Sequence, residues 1–142
     1  MGSESDKETM MKAADVLEDF GIGYEVNVLS AHRMPNKTAE YAKGLINRGI
    51  KVVIAGAGKA AHLPGVIASH TILPVIGVPI KTSDLKGMDS LLSIVQMPSG
   101  IPVATVAIDG AKNAALLALE ILGISNSELT EKILNFRKDF ES

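Results

Sequence analysis

Cysteine is absent from the 142 residues, which removes disulfides, thiol nucleophiles and thiolate metal sites together. Three histidines are then the only nitrogen ligands, so a metal site is not expected. A charge excess is missing too. Fourteen Lys and Arg against sixteen Asp and Glu give a formal net charge of −2, with acids and bases interleaved, so neither a nucleic-acid surface nor a membrane anchor is expected. Any bound anion must be held locally. No apolar run reaches the ~18 residues of a membrane span, and no basic start with an apolar core and small-residue cleavage site opens the chain. A cytoplasmic protein is expected. Internal repeats, linkers and low-complexity tracts are also lacking; the 13 glycines are scattered and the apolar share is 46%, as in an ordinary globular chain. The length suits one domain, 1–142.

What is present alternates between two periods. Met10, Ala13, Ala14, Leu17 and Phe20 repeat at helical spacing, with Ser5 and Glu8 fitting a capping box and Gly21 a helix stop. Tyr24, Val26 and Val28 alternate with Glu25 and Asn27, predicting an edge strand wet on one face. A second helix is expected from about Asn36 to Gly49, burying Tyr41, Ala42 and Leu45. Three short runs, 52–55, 74–78 and 103–108, are apolar on both faces, as parallel strands covered by helices are. Asp89 to Gly100 reads as a helical pattern ending in a proline-glycine turn. Helices follow over about 112–122 and 127–139, the last with a stripe of Leu129, Ile133, Phe136 and Phe140 that packs on its own domain or on a neighbouring subunit. The alternation implies a three-layer, doubly wound α/β fold, in which ligands sit beyond the carboxyl ends of the strands. One element is missing. A helix starting near Ser5 after Gly-Ser is normally preceded by a buried strand, whereas the sequence begins at Met1; a misplaced or trimmed start is the expected reason.

Three loops fall on the ligand-binding edge. Gly2 to Asp6 puts hydroxyls and small residues at a helix start, suited to an anion or to simple capping. Ser30-Ala31-His32-Arg33 sets an imidazole beside a guanidinium before Pro35; Arg33 suits a phosphate fork and His32 proton exchange near neutral pH, while a lone solvated pair is the plain alternative. Gly56 to Gly65 is mostly side chains of one carbon or none, allowing close approach of backbone amides to a ligand. It matches neither the dinucleotide nor the Walker spacing. Within it His62 lines the pocket or caps the next helix, and His70 is expected to face solvent.

Taken in order, Gly-Ser-x-Ser-Asp at 2–6, Ser-Ala-His-Arg-x-Pro at 30–35, Ala-Gly-Ala-Gly-x-Ala-Ala-His-Leu-Pro-Gly at 55–65 and Asp-Ser-Leu-Leu-Ser-Ile-Val-Gln-Met-Pro at 89–98 resemble the PurE family over nearly the whole chain. The resemblance implies a flavodoxin-like fold, a homo-octamer with sites at subunit junctions, and a last helix used in that packing. It implies an isomerase of purine (IMP) biosynthesis that uses no metal or organic cofactor and moves a carboxylate from the exocyclic nitrogen of an aminoimidazole ribonucleotide to its ring carbon. Carried over by motif, His32 transfers protons, Ser3 and Arg33 bind the phosphate, Asp6 binds the ribose hydroxyls, and Ser5, Ser30, Gly58, His62 and Leu63 complete the pocket. The partner is a small-molecule ribonucleotide. The animal-type branch, a direct carboxylase, usually has Lys where Arg33 stands and a different third loop; Ala57, Ala60, Ala61 and His62 side with the mutase. Lys59, where the family usually has glycine, is expected to face solvent, and the loop over 109–112 is shorter than usual. A direct carboxylase and a non-catalytic ribonucleotide-binding module remain open beside the mutase.

Overall fold

Met10, Ala13, Ala14 and Leu17 share one face of a 3.6-residue period, and they are the buried residues of α1 (Lys7–Asp19) in the computed structural model, which describes residues 1–141. A single 3-10 turn, Glu4–Asp6, leads into α1. The capping box forms two residues earlier than Ser5 and Glu8 would place it. Ser3 is the cap and Asp6 its reciprocal partner, the Ser3 N–H donating to Asp6 Oδ2 at 2.9 Å. The inserted turn moves the first unpaired amides toward Ser3, and a Ser-x-x-Asp spacing satisfies them there as a Ser-x-x-Glu would.

Three strands, β1 (Val53–Gly58), β2 (Val75–Ile80) and β3 (Ala104–Thr105), pair in parallel in the order β1-β2-β3. Helices α2 (Pro35–Lys43), α3 (Leu63–Ala68) and α4 (Met88–Val95) precede or connect them, and α5 (Ala111–Gly123) and α6 (Ser127–Lys138) follow. The period of two in a strand sends alternate residues to opposite faces. Ile76, Val78 and Ile80 join α1, α5 and α6 in one core, while Val53, Ala55, Ala57 and Val75 join residues of α2, α3 and α4 in the other. Gly77 lies under Ile94 of α4, where a side chain has no room. The result is a parallel sheet with helices on both faces.

Two expected strands change. The run 103–108 forms only the two-residue β3, with Ala104 exposed rather than buried on both faces; among the described residues it packs chiefly on β2 and α4. Residues 24–28 form no regular secondary structure and belong to no ladder, with Tyr24 and Val26 exposed. Their alternation suits extended geometry, but a strand also needs a neighbour at hydrogen-bonding distance. Between them and β1 runs a cavity of about 540 Å³, lined among others by Met10, Leu17, Val26, Leu45, Val53 and Ile67. Met1 and Gly2 enter its end with the bonds of a parallel ladder: the Met1 ammonium donates to Asn27 O (2.8 Å), Leu29 N–H to Met1 O (2.8 Å) and Gly2 N–H to Gly56 O (3.0 Å). Among the described residues, nothing else occupies the place where the preceding strand is expected.

The remaining elements lie close to their predicted bounds. The helix expected over 36–49 is α2 followed by a 3-10 turn, Ile46–Arg48, which Gly49 ends at φ 77. On α6, Leu129 and Ile133 are buried on their own chain and Phe136 meets Phe20 edge-on with ring centroids 5.7 Å apart, while Phe140, just past its end, stands 74% exposed. His70 is half-buried rather than solvent-facing, its N–H closing the end of α3 on Ile67 O.

Candidate functional site

At the carboxyl end of β1 and β2, segments 2–6, 30–33 and 57–63 converge with Thr82 on a cavity of about 420 Å³. All nine residues singled out from sequence, Ser3, Ser5, Asp6, Ser30, His32, Arg33, Gly58, His62 and Leu63, line it. Each loop is held by something the sequence encodes locally. Gly2 is tied to Gly56 by the backbone bond above. The turn at 30–34 closes through Met34 N–H to Ser30 O at 2.8 Å, and Pro35 starts α2 directly after it. At 58 a β-carbon would come within 2.9 Å of the Thr82 methyl, so any larger residue there must displace Thr82.

His32 and His62, thirty residues apart, meet as Nε2 and Nδ1 at 2.8 Å with rings at 77°. One of these nitrogens must carry the proton that the other accepts, so the tautomer of each ring dictates that of its partner. Both residues are exposed at the cavity. Ser30 Oγ accepts from the Arg33 backbone N–H (3.2 Å) and from Arg33 Nε (3.3 Å). That fixes the guanidinium while leaving its two terminal nitrogens without a partner among the described residues, a fork shaped for two oxygens of one anion.

Asp6 is the buried carboxylate of the site, 6% exposed. Burial pushes its pKa above the usual carboxylate value, against the opposing pull of the Ser3 N–H, the Met1 ammonium, the Ser5 hydroxyl and the Gly2 N–H. Ser3 and Ser5 hydroxyls lie 3.0 Å apart beside it. Thr82 was not reached from sequence: its Oγ1 is buried without a hydrogen-bond partner in the cavity wall. Its place just after the carboxyl end of β2 is the signal that marks it. Lys59 also lines the cavity, and its ammonium is paired with Asp84 rather than simply solvated. Among the described residues, no group of three or more His, Asp or Glu is placed to hold a metal, and no helix is long and apolar enough to cross a membrane. An imidazole pair, a free guanidinium fork and clustered hydroxyls in one cavity suit proton transfer on a small anionic molecule.

The family described as AIR carboxylase matches residues 1–142. The chain is 65% identical over 141 residues to the N5-carboxyaminoimidazole ribonucleotide mutase of Pyrococcus horikoshii, covering 99% of this chain and 80% of that one. It is 61% identical to the protein of that name from Saccharolobus solfataricus, covering 100% and 90%. A chloroplastic phosphoribosylaminoimidazole carboxylase of Vigna aconitifolia is 53% identical over 139 residues, 98% of this chain and 25% of that protein. Among solved structures, Treponema denticola PurE superposes with a TM-score of 0.90 at 30% identity, covering 99% and 88%.

Proposed function

Because this chain belongs to the AIR carboxylase, or PurE, family, we propose that it is an N5-carboxyaminoimidazole ribonucleotide mutase acting in purine biosynthesis. The observation that carries the chemistry is the His32–His62 contact inside a cavity that also holds the open Arg33 fork. Arg33 and Ser3 hold the phosphate, and Asp6 with Ser5 receives the ribose hydroxyls. Ser30 aims Arg33, while Gly58 and Leu63 shape the wall around the reacting end.

In the reaction, the bond between the exocyclic nitrogen and the carboxylate breaks, giving carbon dioxide, and His32 delivers a proton to that nitrogen. The electron-rich ring carbon then attacks the trapped carbon dioxide, and His32 takes back the ring proton, so protons balance over the cycle. A single imidazole suits both steps because it gives and accepts a proton through the same nitrogen. His62 relays or orients that proton through the 2.8 Å contact. The enzyme works as a homo-octamer in the cytoplasm, with the exposed Leu85, Met88 and Leu92 around α4 and Phe140 after α6 offered to neighbouring copies.

The test is conversion of the carboxyamino ribonucleotide to its ring-carboxylated isomer by the purified protein. His32→Asn is expected to lower kcat by about 10²–10⁴-fold while nucleotide binding stays within a few-fold. Absence of isomerisation by the parent protein overturns the reading. The Vigna relative's name supports a second one, direct carboxylation, which predicts turnover of aminoimidazole ribonucleotide that saturates at low carbon dioxide.

A further inference from the structure

Lys59 is unusual in backbone and side chain. It sits at φ 55, in the left-handed region that non-glycine residues rarely adopt. Its side chain reaches from the glycine-rich loop to the segment after β2, with Nζ 2.6 Å from Asp84 Oδ2. Both side chains are well exposed, at 66% and 60%, and ion pairs held in water in this way contribute little to stability. They are correspondingly easy to exchange for another anion. Asp84 has a second partner in Ser83, whose hydroxyl lies 3.3 Å from its other oxygen. It is therefore not stranded if the ammonium leaves.

Arg33 and Lys59 are the two cationic side chains lining the cavity, one from each of two loops, and the acid that lines it with them, Asp6, is buried and bonded to Ser3. Asp84 stands outside the lining. A ligand with one anionic group on the Arg33 fork and a second at its other end thus meets a second cation whose present partner is weakly held. We propose that Lys59 is a specificity-determining residue, its ammonium leaving Asp84 for the carboxylate of a carboxylated ribonucleotide so that the site favours carboxylated over uncarboxylated nucleotides. This rests on the ribonucleotide reading above and adds to it a residue outside the proton-transfer pair. The exchange forms and breaks no covalent bond: one ion pair replaces another, and the strength of both falls with salt.

The experiment is calorimetric titration of the full chain carrying His32→Asn, which keeps the nucleotides unreacted. The probes are the ring-carboxylated aminoimidazole ribonucleotide and the uncarboxylated one, each at low and high salt. Adding Lys59→Gln is expected to weaken the carboxylated nucleotide roughly 3- to 10-fold at low salt and the uncarboxylated one less than 2-fold. Asp84→Asn, which frees the ammonium, is expected to tighten the carboxylated nucleotide alone. Equal loss for both ligands in Lys59→Gln, or no change for either, overturns the exchange and leaves the ribonucleotide reading standing. Failure of the His32→Asn protein to bind either nucleotide overturns that reading, and the exchange with it.

Discussion

Two cavities border β1, and they differ in a way that size does not reveal. The larger, about 540 Å³, runs along the free edge of the strand between apolar walls. The smaller, about 420 Å³, opens at its carboxyl end among hydroxyls, imidazoles and a guanidinium. In the first, backbone bonds are made at one end, where Met1 pairs with Asn27 and Leu29, and the rest of the lining is mostly apolar side chains from β1, α1 and α3. That cavity has the shape of a strand. In the second, the open hydrogen-bonding positions belong to side chains that converge on a point, the Arg33 fork and Thr82 Oγ1 among them. That cavity has the shape of a small anionic molecule. What separates a site from a gap in packing is thus where the unused polar valences lie, not how much volume they enclose.

Removing the most exposed of those valences tests the contrast most severely. Arg33→Ala takes away a charge-assisted fork that Ser30 holds in place, a loss of ~1.5–3 kcal/mol for hydrogen bonds to a charged group. Nucleotide affinity is expected to fall about 10- to 100-fold, with the unfolding midpoint almost unchanged because the side chain is exposed. Titration of the variant alongside a thermal melt checks both. A large drop in Tm with unchanged binding would reverse the roles assigned to the two cavities.

The opposite experiment fills the larger cavity. Six alternating Val and Ile residues joined ahead of Met1 continue its ladder between 22–27 and β1, and turn a half-buried ammonium, whose pKa desolvation holds below its usual value, into a peptide N–H that keeps its bond to Asn27. Apolar burial of ~1.5–3 kcal/mol per side chain is largely offset by ~1–2 kcal/mol of ordering per residue. The net gain is expected to show as a rise in Tm of several degrees, with nucleotide affinity improved less than 3-fold. An extension of the same length with alternate Asp and Lys should give no rise. Equal melts for the two extensions would show that the cavity does not select a strand.

These outcomes bear on what the amino-acid sequence makes legible. The loops at the strand ends could be placed because apolar period and glycine position are local signals, and the nine residues that the family resemblance implies on them do line one cavity. The His32–His62 contact could not, since it joins rings thirty positions apart and depends on how the turn at 30–34 meets the loop after β1. The Lys59–Asp84 pair escaped for the same reason. Residues 24–28 were misread because alternation reports a backbone's extension and the faces of its side chains, whereas membership of a ladder is decided by a neighbour elsewhere in the chain. The cap moved from Ser5 to Ser3 because both positions begin a serine-led spacing, and only the 3-10 turn chooses between them.

The smallest expected effect concerns Asp6, which lines the smaller cavity, accepts from the Ser3 N–H and feels the Met1 ammonium. Burial raises its folded pKa above the unfolded value. Between those two pH values the folded chain holds a proton that the unfolded chain has released, so stability falls as pH rises from the ordinary carboxylate range through the raised pKa, then stays level. Asp6→Asn keeps an oxygen to accept the Ser3 N–H but cannot ionise. The difference in Tm, variant minus parent, should therefore climb across that window and plateau above the raised pKa. Because only the slope is read, any constant change in capping drops out. A difference that falls with pH would mean that the Ser3, Ser5 and Gly2 groups and the Met1 ammonium together outweigh burial, and that Asp6 is already pre-set as a carboxylate for whatever the smaller cavity binds.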